Sequence, residues 1–344
     1  MSPKLTGAAG RDLEVDDRAF ARPARRTRPR TKDRPDYSDA EVGRVITVDR
    51  GRYRCLIEDD SDGAVELTAA KARQLGRKGV IVGDVAKLVG DISGDEGTLA
   101  RIVEVEPRTT VLMRSADDND STERPMVANA DQLMIVTALA DPPPRQGMID
   151  RLLIAAYDAG LQPILCLTKA DLASPDELLA AYQPLNVPIV VTEPRADVSE
   201  IEELLTGHVT VLVGHSGVGK STLINRIIPD ANRATSHVSE STGRGRHTST
   251  SAIALKLPAR PGWAIDTPGV RSFGLSHVTA DRILAVFPAV ADAIEDCPRG
   301  CTHLADEPEC GLDDALARGE LDAARLESLR RILAALHEAE TSYE

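Results

Sequence analysis

The stretch that most constrains this chain runs from Val209 to Ile228. A short β-branched run, Val209 to Val213, meets Gly214-His215-Ser216-Gly217-Val218-Gly219-Lys220-Ser221-Thr222. A helical pattern with Leu223, Ile224, Ile227 and Ile228 follows. Strand, G-x-x-x-x-G-K-[ST] loop and helix in this order make a phosphate cradle. The glycines let the backbone wrap a polyphosphate, so that amides and a helix N-terminus point at negative charge. Lys220 is placed to reach the β- and γ-phosphates, and the Ser221 hydroxyl to ligate Mg²⁺. A plain glycine turn before a helix is the bland alternative, but it has no need of the Lys-Ser pair. The implied ligand is a nucleotide.

The base is read from a second loop. Pro163 to Leu167 forms a strand-like run that ends in Thr168-Lys169-Ala170-Asp171, at the carboxyl edge where ligands sit in open parallel sheets. Asp171 can accept from both the N1–H and the N2 amine of guanine, and adenine offers neither in that arrangement. The aliphatic stem of Lys169 can lie over the base plane. Alone this loop is a weak signal; joined to the phosphate loop it specifies GTP and GDP. Downstream, Trp263 to Ile265 ends in Asp266-Thr267-Pro268-Gly269. Such a D-x-x-G places an acid near Mg²⁺ and the Gly269 amide near the γ-phosphate. Between the two lies Ser239 to Ser251, rich in Ser, Thr, Gly and Arg, which suits a switch segment. The base element thus precedes the phosphate loop, whereas Ras-like GTPases carry it last. The pattern is that of a circularly permuted GTPase domain.

Around this centre the chain divides unevenly. With 344 residues and 42% hydrophobic content there is material for two or three domains. No run is long and apolar enough for a membrane span and no apolar leader opens the chain, so a soluble cytoplasmic protein without membrane partners is expected. The net charge of −13 argues against wholesale coating of nucleic acid. The charge is uneven, however. Residues 1–40 read as a disordered arm, with eight Lys/Arg against one acid between Arg18 and Arg34, fit either for phosphate backbones or for a solvated tether. Residues 41–108 carry about five short strands, which suit an OB-like β-barrel; an SH3-like barrel gives a similar string. Residues 109–127 are polar and read as a linker, residues 128–280 as the α/β GTPase domain, with Ser174 as a helix N-cap, and residues 281–344 as a zinc-binding helical domain.

The zinc reading rests on Cys297-x3-Cys301-x-His303-x6-Cys310. Three thiolates and one imidazole in a loop-like context make a closed tetrahedral set, which is structural and not catalytic. Cys55 and Cys166 sit alone in apolar runs, as suits a reducing compartment.

Barrel, permuted GTPase with GHSGVGKS, TKAD and DTPG, and a Cys-Cys-His-Cys module, in that order, resemble the ribosome small-subunit-dependent GTPase A family (RsgA, also called YjeQ) over about residues 41–340. Ala128-Asn129-Ala130-Asp131-Gln132, Gly245-Arg246-His247-Thr248 and Pro268-Gly269-Val270-Arg271 match as well. The resemblance implies a monomeric cytoplasmic GTP hydrolase that binds the small (30S) ribosomal subunit and its rRNA in late maturation. It also implies Mg²⁺, one structural Zn²⁺, and faster turnover on the ribosome. Val270 stands where Ras-like enzymes place a water-orienting Gln, so intrinsic hydrolysis should be slow, and His247 is the nearest substitute. Three positions depart from the family pattern. Thr168 replaces an Asn, Thr192-Glu193 is a poor fifth GTPase element, and Ser249 replaces a Thr, leaving Thr248 or Ser249 as the Mg²⁺ ligand. A nucleotide-gated RNA chaperone with little hydrolysis is the rival function. A small-molecule kinase explains neither the guanine loop nor the cysteines.

Overall fold

The computed structural model describes residues 36–57, 63–76, 79–115, 123–231, 252–258, 260–267, 278–284, 287–295, 297–305 and 307–341. The basic arm, the switch segment with His247, Thr248 and Ser249, and the stretch holding Gly269 and Val270 lie outside the described residues.

Five strands close on themselves first: β1 (Glu41–Asp49), β2 (Arg52–Ile57), β3 (Val65–Lys71), β4 (Val85–Gly90) and β5 (Ala100–Val105). Strands β1, β2 and β3 pair antiparallel, β3 pairs parallel with β5, β5 antiparallel with β4, and β4 returns to β1. The ring order β1-β2-β3-β5-β4-β1 decides for the OB-like barrel over the SH3-like alternative. Its interior is small because alternate residues point inward: Val45, Cys55, Leu67, Ala69, Ala86, Leu88 and Ile102 fill it.

The stretch 109–127 is more ordered than a linker. Strands β6 (Val111–Ser115) and β7 (Glu123–Ala128) pair antiparallel there, because Leu112, Met126 and Val127 have an apolar core to enter. The acidic run that made the segment look like a tether, 116–122, falls between the two strands and outside the described residues.

The next six strands are β8 (Gln132–Ala138), β9 (Gln162–Thr168), β10 (Ile189–Val191), β11 (Val209–Val213), β12 (Ile253–Lys256) and β13 (Trp263–Asp266). Their spatial order is β10-β9-β8-β11-β13-β12, all parallel except β12 at the edge. Building proceeds outward from β8 to β10, then jumps back across β8 to β11. That reversal is a topological switch point, and it lies between β8 and β11. Counted from β11 onward, the same sheet puts the guanine-type loop last, so the strand order itself displays the permutation.

Both faces are covered, as the unbroken apolar runs of parallel strands require. On one face Met134, Val136, Ile164, Cys166, Leu212 and Ala264 meet α3 (Ser199–Leu205) and α4 (Lys220–Ile227). On the other, Leu133, Ile135, Leu165, Leu167, Val211, Val213 and Ile265 meet α1 (Gln146–Asp158) and α2 (Asp176–Tyr182). The helix α2 starts after Pro175, while the Ser174 hydroxyl accepts from the Asp176 amide at 3.3 Å. The second apolar cluster continues without a break into α5 (Ala280–Leu284), α6 (Pro288–Ile294), α7 (Gly311–Ala317) and α8 (Ala323–Thr341). The Tyr157 and Phe287 rings meet edge to face at 5.2 Å in this shared core. Among the described residues no helix is long and apolar enough to cross a membrane.

A buried polar contact ties α8 to this face. The Asp150 side chain, 2% exposed, accepts from Arg331 at 3.1 Å and from the Tyr182 hydroxyl at 3.0 Å. Arg331 also stacks over the Tyr182 ring at 4.7 Å and donates to the Ala181 carbonyl. Burial raises the Asp150 carboxyl above the ordinary range, and the facing guanidinium only partly offsets this. A raised carboxyl in the folded chain means that the native state holds its proton more tightly than the unfolded one. Its contribution to stability therefore falls as pH rises from the ordinary carboxylate range through the folded value. Arg331→Ala removes the cation and leaves the acid buried. It is expected to cost about 2–3 kcal/mol at pH 7, and less at pH 5, where the acid is closer to neutral. Urea unfolding at the two pH values checks this; a pH-independent loss would contradict it.

Candidate nucleotide site and metal cluster

The carboxyl ends of β9, β11 and β13 lie on one edge of the sheet, because all three run parallel to β8. The loops that follow them carry Thr168–Asp171, Gly214–Ser221 and Asp266. The structure therefore gathers on one edge the three motifs that the sequence scatters over about 100 residues.

Two glycines shape the middle loop. A Cβ on Gly214 would lie 2.4 Å from the Val136 carbonyl oxygen, so the loop leaves β11 flush against β8. Gly219 takes a left-handed backbone (φ 96°) as the N-cap of α4, a conformation that other residues rarely adopt. Val218 between them is buried, while Ser216 and Gly217 face solvent. The His215 Nδ1 sits 3.0 Å from the Ser216 carbonyl, and His215 lines a shallow open cleft with Pro142, Pro143 and Met148. Ser221 and Thr222, in the first turn of α4, are exposed.

Lys220 is 8% exposed and reaches across to β13. Its ammonium is paired with the Asp266 carboxylate and donates to the Thr267 carbonyl at 2.5 Å. Thr267, fully buried, donates its hydroxyl to the Leu212 carbonyl at 2.7 Å and so pins the end of β13 to the phosphate-loop strand. The cation and acid assigned to phosphate and Mg²⁺ are thus neighbours.

On the other side the Thr168 hydroxyl lies 2.5 Å from the Val218 carbonyl and 3.2 Å from that of Thr137. One hydroxyl proton serves one acceptor at a time, and the shorter contact is to the phosphate loop. The departure from Asn at this position therefore keeps a link between the two loops. Lys169 adopts a left-handed backbone (φ 59°), and its ammonium donates to the Asp141 carbonyl. Asp171 projects into solvent beside Leu172, which is 56% exposed.

The cysteine cluster assembles about 30 residues beyond β13. The ligand atoms of Cys297, Cys301, His303 and Cys310 all lie within 4.8 Å of one another. The His303 Nδ1 is 3.5 Å from Cys297 Sγ, 3.4 Å from Cys301 Sγ and 3.9 Å from Cys310 Sγ. A tetrahedral zinc with ordinary Zn–S and Zn–N bonds sets each S···N edge at about 3.5 Å, so the four residues fit that ion. The left-handed backbone of His303 (φ 58°) turns the ring inward, with Nε2 3.9 Å from Asp281. The Gly311 amide donates to Cys297 Sγ at 3.1 Å, and Arg330 donates to the His303 carbonyl. Burial pushes the Cys301 thiol up to about 12 and lowers His303; a divalent cation here would hold the sulfurs as thiolates. Cys55 and Cys166 are different in kind. Burial alone raises both to about 12, and they serve packing.

Three residues contribute through contacts that a reading of motifs does not show. Thr267 lies within DTPG but acts through its buried hydroxyl and its carbonyl. The Thr192 carbonyl accepts from the Ala170 amide at 3.2 Å. Arg226 donates to the carbonyls of Glu193 and Ala196. The string marks Thr192 only as a poor fifth GTPase element; backbone acceptors leave no mark in a sequence, so nothing announces this contact or those of Arg226.

Comparison with known proteins follows the same lines. The family model described as RsgA GTPase matches residues 105–276. The "Small ribosomal subunit biogenesis GTPase RsgA" of Pseudomonas putida is 40% identical over 260 residues, 73% of this chain and 74% of the relative. That of Azotobacter vinelandii is 41% identical over 248 residues, 70% and 71% of the two chains. Among solved structures, the crystal structure of YjeQ from Thermotoga maritima is similar at a TM-score of 0.62 and 26% identity, covering 86% of this chain and 98% of that one. YloQ, described as a circularly permuted GTPase, shares the fold at a TM-score of 0.63 and 22% identity, covering 89% and 98%. With the permuted strand order, the gathered motifs and this level of identity together, the chain belongs to the RsgA GTPase family.

Proposed function

We propose that this protein is a GTPase of small ribosomal subunit maturation, hydrolysing GTP to GDP and phosphate with turnover stimulated by the subunit. The observation that carries the reading is the meeting of Lys220, Asp266 and the Thr168–Asp171 loop at one sheet edge. It is supported by the name borne by the relatives, small ribosomal subunit biogenesis GTPase.

In this reading Gly214 to Ser221 wraps the phosphates, and the Thr222 amide adds to the first turn of α4. Lys220 leaves Asp266 for the β- and γ-oxygens. Asp171 accepts from guanine, and the Lys169 stem covers its face. Ser221, Asp266 and a switch hydroxyl, Thr248 or Ser249, would hold Mg²⁺, which neutralises charge on the transferred group. The Gly269 amide faces the γ-phosphate. His247 orients water where Val270 cannot. The protein meets the small subunit and its rRNA, and it acts in the cytoplasm as a monomer. Cys297, Cys301, His303 and Cys310 hold one structural zinc whose closed ligand set leaves no position for catalysis.

GTP turnover measured with and without purified small subunits tests the reading. Stimulation by small and not by large subunits is the expected result, with His247→Ala lowering the stimulated rate by about 100-fold or more while GTP affinity is kept. Tight GTP binding with no stimulation would favour the RNA-chaperone alternative.

The metal assignment has its own test. Elemental analysis should give one zinc per chain. Stripping the metal, or Cys310→Ser, should cost about 2 kcal/mol or more and lower Tm by about 4–8 °C. A metal-free chain of unchanged Tm would remove zinc from the fold.

A further inference from the structure

We infer that Arg226 is a positioning residue for guanine selectivity, acting by holding the base-side loops at a fixed distance from the phosphate helix. The inference rests on the guanine-nucleotide reading above. Arg226 stands in the last turn of α4, the helix whose first turn carries Lys220 and Ser221. It is half-buried, and its guanidinium donates to the Glu193 carbonyl at 2.9 Å and to the Ala196 carbonyl. Those carbonyls belong to the turn after β10, which is closed on itself by the Ala196 amide on the Glu193 carbonyl at 3.2 Å.

The turn is in contact with the base loop. The Thr192 amide donates to the Leu167 carbonyl at 2.8 Å, and the Thr192 carbonyl accepts from Ala170 at 3.2 Å. Ala170 stands between Lys169 and Asp171. A continuous path of hydrogen bonds therefore runs from α4 through Arg226, the Glu193–Ala196 turn and Thr192 to the residue beside the guanine acceptor. The second tie is the Thr168 hydroxyl on the Val218 carbonyl. The base loop is thereby hung from the phosphate loop at one end and from the phosphate helix at the other.

A planar fork suits this task. Two carbonyls of one turn present acceptors that a guanidinium meets simultaneously, and a lysine ammonium is a single point. Loss of Arg226 frees the turn and with it the Ala170 amide, so Asp171 no longer keeps its spacing from the phosphates. The phosphate contacts themselves come from the loop and the first turn of α4, four residues or more away from Arg226. Base binding should suffer, and phosphate binding should not.

The test compares two ligands on the full chain. In Arg226→Ala, the Kd for GDP should rise about tenfold, whereas pyrophosphate, measured by competition and touching only the phosphate side, should change less than twofold. The KM for GTP should rise in step, with subunit-stimulated kcat within about twofold. An unchanged GDP affinity, or equal losses for GDP and pyrophosphate, would overturn the inference, the latter by showing a general defect of α4. If Arg226→Ala fails to fold, Arg226→Lys decides: its GDP affinity should fall several-fold, and an unchanged value would overturn the inference. A wild-type chain that bound no GDP would instead overturn the guanine-nucleotide reading itself.

Discussion

The contact on which the rest of the site depends is between two backbones. Gly214 leaves β11 so close to Val136 of β8 that a methyl group would not fit between them. This flush packing is possible because β8 and β11 are parallel neighbours with Val213 level with Ile135. It sets the floor of the phosphate loop. From that floor Val218 drops into the core, its carbonyl meets Thr168, and Lys220 reaches β13. A side chain at position 214 would lift the loop and break all three relations together.

The barrel is attached by a different kind of restraint. Asp84 is fully buried, and both its oxygens accept from Arg108, at 2.7 and 2.8 Å, with the Ile81 amide as a further donor. Asn129, just before β8, donates to the Gly83 carbonyl, and Arg44 of β1 lies over the Trp263 ring at 5.3 Å. A buried acid is tolerated only when its lone pairs are filled, and here the donors, Ile81 and Arg108, both come from the barrel segment, which fixes the Gly83 turn that faces the sheet. The junction is held by the Asn129 and Arg44 contacts, by Ile46 and Val82 of the barrel entering the apolar cluster of the sheet, and by the β1–β12 bridge at Thr47 and Ile253.

Much of this was legible in the string, and the division follows the physics. Strand and loop boundaries around Lys220, Asp171 and Asp266 could be read because parallel strands are short apolar runs ended by special residues. The barrel strands were visible, but which strand closes on which was not, since the β3–β5 pairing is nonlocal. The hairpin at 109–127 was masked by its acidic middle: Leu112, Met126 and Val127 are too few to announce strands without knowing that a core awaits them. The roles of Arg226 and Asp150, and the carbonyl contact of Thr192, were invisible for a common reason. Their partners are main-chain atoms or residues far along the chain, and neither leaves a local pattern.

The clasp between Asp150 and Arg331 spans 181 residues of sequence. Residues emerge from a translating ribosome at about 5–20 per second, so α1 waits about 10–40 s for the helix that covers it. Throughout that interval α1 and α2 cover Leu133, Ile135 and Leu165 but lack a partner on their own outer side, while the opposite face of the sheet is covered once α4 has formed. The chain is therefore born with one finished side and one adhesive side. Docking of α8 through Arg331 is the step that covers that side.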